Sequence, residues 1–258
     1  MTPEFGSSRT AIVTGGARRL GAAFARGLAA DGWTLLIHYG DSHDEAATLA
    51  AELGGATRIV QADLADPNAA ATIVAALDGM PPPGLLVNSA SIFEEDSFDG
   101  FDAERWDRHQ AINTRGPALL SRAFADRVEE GQGALIVNIL DAKLAQPNPD
   151  FFSYTISKMG LAGLTELSAR ALAARGIRVC AIAPSVTLVS GKQTRDNFDA
   201  VHALNALRRG VTADQLVEAL RFIVASPTLT GQTITLDSGQ RFLGLARDVQ
   251  YLNLSEPS

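Results

Sequence analysis

The sequence predicts an α/β fold in a single domain: a doubly wound parallel sheet flanked by helices. Three features of its 258 residues predict it. Strand-like and helix-like stretches alternate along the chain, as they do when parallel strands are joined by crossover helices. The strand-like stretches are mostly unbroken apolar runs, which marks burial on both faces of a sheet. A glycine-rich turn joins the first strand to the first helix, at an edge where such sheets bind ligands.

The elements follow in order. Thr10–Thr14 is a short apolar run and Arg18–Ala30 an Ala/Leu-rich helix pattern. Trp33–Tyr39 reads as a strand, His43–Leu53 as a helix and Arg58–Gln61 as a strand. Pro67–Leu77 fits a helix with proline near its first turn, where the missing N–H is not needed. After the stiff Pro81-Pro82-Pro83-Gly84 turn come a strand, Leu85–Asn88, and one long helical region, roughly Ala103–Glu130. Ala134–Leu140 is a strand, Phe152–Arg175 a helix and Ile177–Ile182 a strand. Ala213–Ala225 is the last helix and Thr233–Leu236 the last strand. Pro184 to about Gly210 lacks periodicity and follows a strand end, so it is expected to be a lid over a substrate. Gly244–Ser258 has no clear role, and a crossing to a partner subunit is one reading.

Composition bounds the function. The formal charge of -7 argues against a general nucleic-acid surface. No apolar run reaches the ~18 residues of a membrane span. Met1–Ser8 carries neither the cationic segment nor the apolar core of a secretory signal. It reads as a disordered leader or cloning remnant, which leaves residues 9–258 as the domain. The single cysteine, Cys180, cannot close an intrachain disulfide and sits in an apolar run as inert core. A reducing, cytoplasmic setting is expected, and no metal site is.

The first turn reads Thr14-Gly15-Gly16-Ala17-Arg18-Arg19-Leu20-Gly21. Glycines let backbone approach a pyrophosphate, and the helix start offers free N–H groups. Its place at a strand-to-helix junction makes it the mark of a Rossmann-type dinucleotide site. Further on stand Asp63 in Gln-Ala-Asp-Leu, Val87-Asn88-Ser89-Ala90-Ser91, Asn113, Tyr154 with Lys158, Ala183-Pro184-Ser185 and Thr230-Gly231-Gln232. In this order the motifs resemble the short-chain dehydrogenase/reductase family, over roughly residues 9 to 243. Two departures resemble its pteridine reductase branch. Arg19 stands where the family's TGxxxGxG turn has its middle glycine. Asp141, thirteen residues before Tyr154, stands where the family usually has a serine.

Tyr154 and Lys158 are an i, i+4 pair on one helix face. A nearby lysine cation favours the phenolate, so Lys158 is expected to lower the Tyr154 pKa and make it an acid-base group. The resemblance implies that Lys158 also contacts the nicotinamide ribose and that Asn113 supports a water-linked proton relay. Asp141 suits proton transfer to a ring nitrogen, or it caps the following loop. Its pKa is expected to be raised by burial. In the branch, an aromatic at the position of Phe93 stacks on the substrate ring; the alternative is a loop phenylalanine on the core.

Carried over residue by residue, the resemblance implies cofactor contacts at Gly15, Arg18, Arg19, Leu20 and Gly21 in the turn. It adds His38, Tyr39 and Ser42 after the second strand, Asp63 and Leu64 after the third, and Asn88, Ser89 and Ala90 after the fourth. Tyr154, Lys158, Pro184, Ser185 and Val186 complete it. Arg19, Ser91, Phe93, Asp141 and Tyr154 are the expected substrate contacts. The second strand ends in Tyr39 rather than the acid of NAD-specific folds. Arg18 or Arg19, Ser42 and His38 or His43 could hold a 2′-phosphate, although Asp41 weighs against it. NADP(H) is the expected cofactor.

The resulting expectation is hydride transfer to a C=N bond of a pterin-like ring. The alternatives are a general carbonyl or alcohol oxidoreductase on the same scaffold and a non-catalytic dinucleotide sensor. The helix Phe152–Arg175 is apolar on more than one face, which predicts a homo-oligomer. The family makes that a homotetramer.

Overall fold

This computed structural model describes residue 5, residues 9–189 and residues 193–252. Among the described residues, seven strands form one parallel sheet. They are β1 (Thr10–Val13), β2 (Thr34–Tyr39), β3 (Arg58–Gln61), β4 (Pro83–Asn88), β5 (Ala134–Ile139), β6 (Ile177–Pro184) and β7 (Thr233–Leu236). Their spatial order is β3-β2-β1-β4-β5-β6-β7. The winding reverses between β1 and β4, and such sheets bind ligands outside the carboxyl ends of the strands at that reversal. The helices are α1 (Arg19–Ala30), α2 (His43–Leu53), α3 (Ala69–Ala75), α4 (Ala103–Gln110), α5 (Gly116–Arg127), α6 (Phe152–Leu172), α7 (Arg195–His202) and α8 (Ala213–Val224).

Successive side chains of a strand point to opposite faces. Val13, Ile37, Val87 and Val137 pack with Phe24 and Leu28 of α1 and with Leu216, Leu220 and Ile223 of α8. Ile12, Leu36, Leu86 and Ile136 pack on the other side with Leu120 and Phe124 of α5 and Ile73 of α3. Each such buried side chain contributes about 1.5–3 kcal/mol relative to exposure. Cys180 lies fully buried in β6 among the first set.

Four readings need correction. The expected long helix 103–130 is two helices joined by a π-helical turn, Ala111–Arg115. Pro83 belongs to β4 rather than to the turn before it, because a strand tolerates proline at its first residue. The expected unpatterned stretch 184–210 contains α7, whose start is capped by Thr194 accepting from the Asn197 N–H at 3.2 Å. Phe198 and Val201 of α7 are buried, two apolar residues too few to show a period; residues 190–192 of that stretch lie outside the described residues. Phe5, in the segment read as a leader, is buried edge-on against Trp33 with ring centroids 5.3 Å apart.

Candidate active site

A cavity of about 850 Å³ lies at the carboxyl ends of the strands. The first turn forms one rim. A Cβ on Gly15 (φ +59°) would lie 2.9 Å from Cα of Ala90, and one on Gly21 would lie 2.1 Å from the Gly15 carbonyl oxygen. Backbone therefore occupies the space a side chain would need, and the turn closes tightly on the start of α1, where unpaired N–H groups favour an anion. The buried Thr14 hydroxyl accepts from the N–H groups of Ser89 and Ala90, each at 3.0 Å, which ties the turn to the end of β4.

His38 lines the cavity, but its ring nitrogens face protein groups. Its Nδ1 accepts from the Gly15 N–H at 3.3 Å, so Nε2 carries the proton and faces the Ala62 carbonyl at 3.0 Å. Both nitrogens hold protein groups, and burial pushes the imidazole pKa down despite the Ala62 bond. It braces the turn as a neutral ring and presents no cation to a phosphate. The exposed His43 meets the Tyr39 hydroxyl through its Nδ1 at 2.7 Å. Arg18, Tyr39, Asp41, Ser42, Asp63 and Leu64 do line the cavity. The exposed Arg18 reaches Glu45 at 3.5 Å.

Arg19 sits at φ 53°, the left-handed region that favours glycine. Its guanidinium donates to the Val189 carbonyl from an exposed position at the cavity rim. Leu20, Pro184, Ser185 and Val186 also line that cavity.

The candidate catalytic side chains meet as the spacing predicts, with different electrostatics. The Tyr154 hydroxyl donates to Asp141 Oδ2 at 2.7 Å, from α6 to the end of β5. Lys158 Nζ donates to the Ile139 carbonyl at 2.8 Å and stands 5.7 Å from the centre of the Tyr154 ring. Burial, then the Asp141 charge, raises the Tyr154 pKa well above its ordinary value. The expected lowering by Lys158 is therefore overturned: the nearer charge is a carboxylate. Burial raises Asp141 in turn, against the bonds from Lys143 N–H and Tyr154. Burial also lowers Lys158 to about 8.

Asn113 is wholly buried in the π-helical turn. Its Oδ1 accepts from the Ile92 N–H at 2.9 Å and the Ser91 hydroxyl at 3.1 Å. Its Nδ2 donates to the Ile92 carbonyl and to Ser157 Oγ, each at 3.0 Å. The side chain thus clamps the 91–92 loop to α6. Asn88 lies buried one layer below, donating to Asn138 Oδ1 at 2.8 Å across the β4–β5 register pair. Phe93 is half-buried, stacked on Phe151 (4.0 Å between centroids, 20°) and edge-on to Tyr154 at 4.7 Å.

The C-terminal segment packs onto this site from its own chain. Arg247 Nε donates to both oxygens of Asp150, at 3.0 and 2.8 Å. Burial works against that carboxylate, yet Arg247, the Asp248 N–H and Lys143 hold its pKa below the usual range. Asp248 Oδ2 lies 3.2 Å from Lys143 Nζ, and Tyr251 lies face to face with Phe151 at 5.9 Å and 18°. These contacts give the tail a place that its sequence did not suggest.

Residues 9–199 match the model of the short chain dehydrogenase family. The chain belongs to that family. It is 38% identical to FolM Alternative dihydrofolate reductase 1 from Brucella canis, a structure complexed with NADP, with a TM-score of 0.87 over 92% of this chain and 94% of that one. It is 30% identical to Pteridine reductase 1 of Leishmania tarentolae over 89% of this chain and 95% of the relative. It is also 28% identical to a 3-oxoacyl-[acyl-carrier-protein] reductase of Synechocystis, over 90% and 97%. Membership in the short-chain dehydrogenases makes the chain an oxidoreductase, as its tyrosine–lysine pair indicated.

Several residues of this short-chain dehydrogenase site escaped the sequence reading. Thr14 was read as part of the turn and not as its anchor. Lys143, Asp150, Phe151, Arg247, Asp248 and Tyr251 carried no spacing signal, since they meet across about a hundred residues of chain. Phe151 stands at φ 53°, a strained position for an aromatic residue, held between Phe93 and Tyr251 at the start of the catalytic helix.

Proposed function

We propose that the protein is an NADPH-dependent reductase that transfers hydride to a C=N bond of a pterin-like ring. The observation that carries this reading is the 2.7 Å hydrogen bond from Tyr154 to Asp141. A ketone needs one proton donor at its oxygen. A ring nitrogen is served by a tyrosine backed by a carboxyl group whose pKa burial raises, because the protonated carboxyl can resupply the tyrosine.

The cofactor would be held by the turn residues Gly15, Arg18, Arg19, Leu20 and Gly21, by Ser42, Asp63, Leu64, Ser89 and Ala90, and by Pro184, Ser185 and Val186, all of which line the cavity. The closed backbone at Gly15 and Gly21 fits a pyrophosphate, and the similar solved structure complexed with NADP favours NADP(H) over NAD(H). The reduced nicotinamide supplies the hydride when bound. Tyr154 would place its proton on the substrate nitrogen, and a protonated Asp141, donating back across the same contact, would replace it. Lys158 holds the ribose, while Asn113 keeps the Ser91–Ile92 loop and Phe93 in place. The 184–210 segment covers the substrate, and the active form is a homotetramer.

Oxidation of NADPH followed at saturating concentration, with a panel of pterins, quinoid rings and ketones, tests this reading. Turnover of ketones alone would replace it with a general carbonyl reductase. The identity to a 3-oxoacyl-[acyl-carrier-protein] reductase makes that the second reading.

A further inference from the structure

The substrate end of the cavity is lined by a charged pair that hydride transfer does not use. Lys143 follows Asp141 by two residues, and its backbone N–H donates to Asp141 Oδ1 at 2.8 Å. Its ammonium donates to the Asp150 carbonyl at 2.6 Å and to Asp248 Oδ2 at 3.2 Å. Both side chains are nearly buried, at 9% and 12% exposure, and both residues line the cavity. An ammonium has three N–H donors, and a carboxylate has about four acceptor sites. Two of the Lys143 donors are engaged, which leaves one. Asp248 accepts from Lys143 and, at Oδ1, from the Gln250 N–H at 3.1 Å, which leaves acceptor sites on both oxygens.

We propose that Lys143 and Asp248 are a specificity-determining pair for the substrate, reading a ring edge that carries a hydrogen-bond acceptor beside a donor. A lactam or an amino-pyrimidinone edge has that pattern: a carbonyl for the Lys143 ammonium and a neighbouring N–H for the Asp248 carboxylate. A ketone or quinone offers acceptors alone and would leave the buried carboxylate unmatched, which is how a polar site rejects the wrong ligand. The pair is held by a frame of its own. Arg247 clamps Asp150, the Asp150 carboxylate also takes the Asp248 N–H at 2.7 Å, and Tyr251 lies on Phe151. The tail of the same chain therefore completes the pocket, and Asp248 reaches within electrostatic range of Asp141 and Tyr154. This inference rests on the pterin reading above, since it names the ring edge that such a substrate would present.

The test compares wild type, Asp248→Asn, Lys143→Met and the exchanged double variant Lys143→Asp with Asp248→Lys. Dissociation constants for a pterin and for a bicyclic quinone of similar size are measured by calorimetry at saturating NADPH, with KM and kcat alongside. The expected result is a loss of about ten-fold or more in pterin affinity for each single variant with kcat within about three-fold, while quinone affinity falls less in Lys143→Met and does not fall in Asp248→Asn. The double variant restores opposite charges and the hold on the tail, but reverses donor and acceptor, so pterin affinity should stay low. Recovery of pterin affinity in the double variant would make the pair a structural clasp and overturn the proposal. Equal losses for pterin and quinone, or none for either, would overturn it as well. Failure of wild type itself to bind the pterin would bring down the pterin reading, and this inference with it. Pterin binding by wild type with no loss in the variants would bring down this inference alone.

Discussion

Tyr154 directs its hydroxyl proton at Asp141, 2.7 Å away, and not toward Lys158, whose ammonium is turned to the Ile139 carbonyl. The proposed catalytic unit is thus a tyrosine–carboxyl couple with a lysine beside it. Burial raises both members of the couple, so the protonated forms persist further up the pH scale than in water.

Tyr154→Phe removes the acid-base hydroxyl and keeps the ring against Phe93. Turnover should fall by about 10²–10⁴. The dissociation constant for NADPH, measured by fluorescence titration, should stay within about three-fold, a change of under 1 kcal/mol.

Asp141→Asn keeps the shape and the bond to the Lys143 N–H but removes the transferable proton. A loss in kcat of about 10² or more is expected with pterins and a smaller one with any ketone. For wild type, kcat with pterin should fall as pH rises through the raised Asp141 pKa, because the reservoir proton is lost there. A pH–rate profile of both proteins checks this: the asparagine variant should lack that limb.

Lys158 titrates near 8, below its ordinary 10.5, because burial disfavours its charge. Below about 8 it is protonated and able to hold the cofactor ribose, so NADPH affinity should weaken as pH rises past that point. Folding stability should move the other way. Between about 8 and 10.5 the unfolded chain holds the proton that the folded chain has released, so this residue's contribution to stability increases with pH across that window. Cofactor titrations and denaturant melts at a series of pH values would separate the two trends.

Arg19→Gly replaces a left-handed arginine with the residue that this conformation favours. Relief of backbone strain offsets the lost bond to the Val189 carbonyl, so stability should change by no more than about 1 kcal/mol. Pterin affinity should fall about ten-fold, as the guanidinium at the rim is lost. Phe93→Ala should weaken pterin binding at least as much and leave NADPH binding nearly unchanged. Calorimetry on the two variants with NADPH present measures both.

Leu167 and Met159 of α6 are exposed, at 67% and 39%. Apolar residues on a face the sheet does not cover point to burial between subunits. Light scattering should give a tetramer, and Leu167→Glu should dissociate it without lowering the melting temperature of the separated chain by more than a few degrees.

The parallel sheet, the order of its elements and the residues of the turn were legible in the sequence because they depend on local pattern. Apolar runs of strand length, glycines at a junction and an i, i+4 pair are all set within a few residues of chain. Tertiary structure decided the rest. His38 looked available for a phosphate until the Gly15 N–H and the Ala62 carbonyl closed on its two nitrogens. The direction of the Tyr154 shift depended first on its burial and then on the Asp141 charge, both set by the end of β5 meeting α6. The C-terminal tail was unreadable because a lone Arg247 or Asp248 has no periodicity; each acquires a role from Asp150 and Lys143, about a hundred residues away in sequence. Charge and hydrogen bonding act through distance in space, whereas a sequence displays distance along the chain.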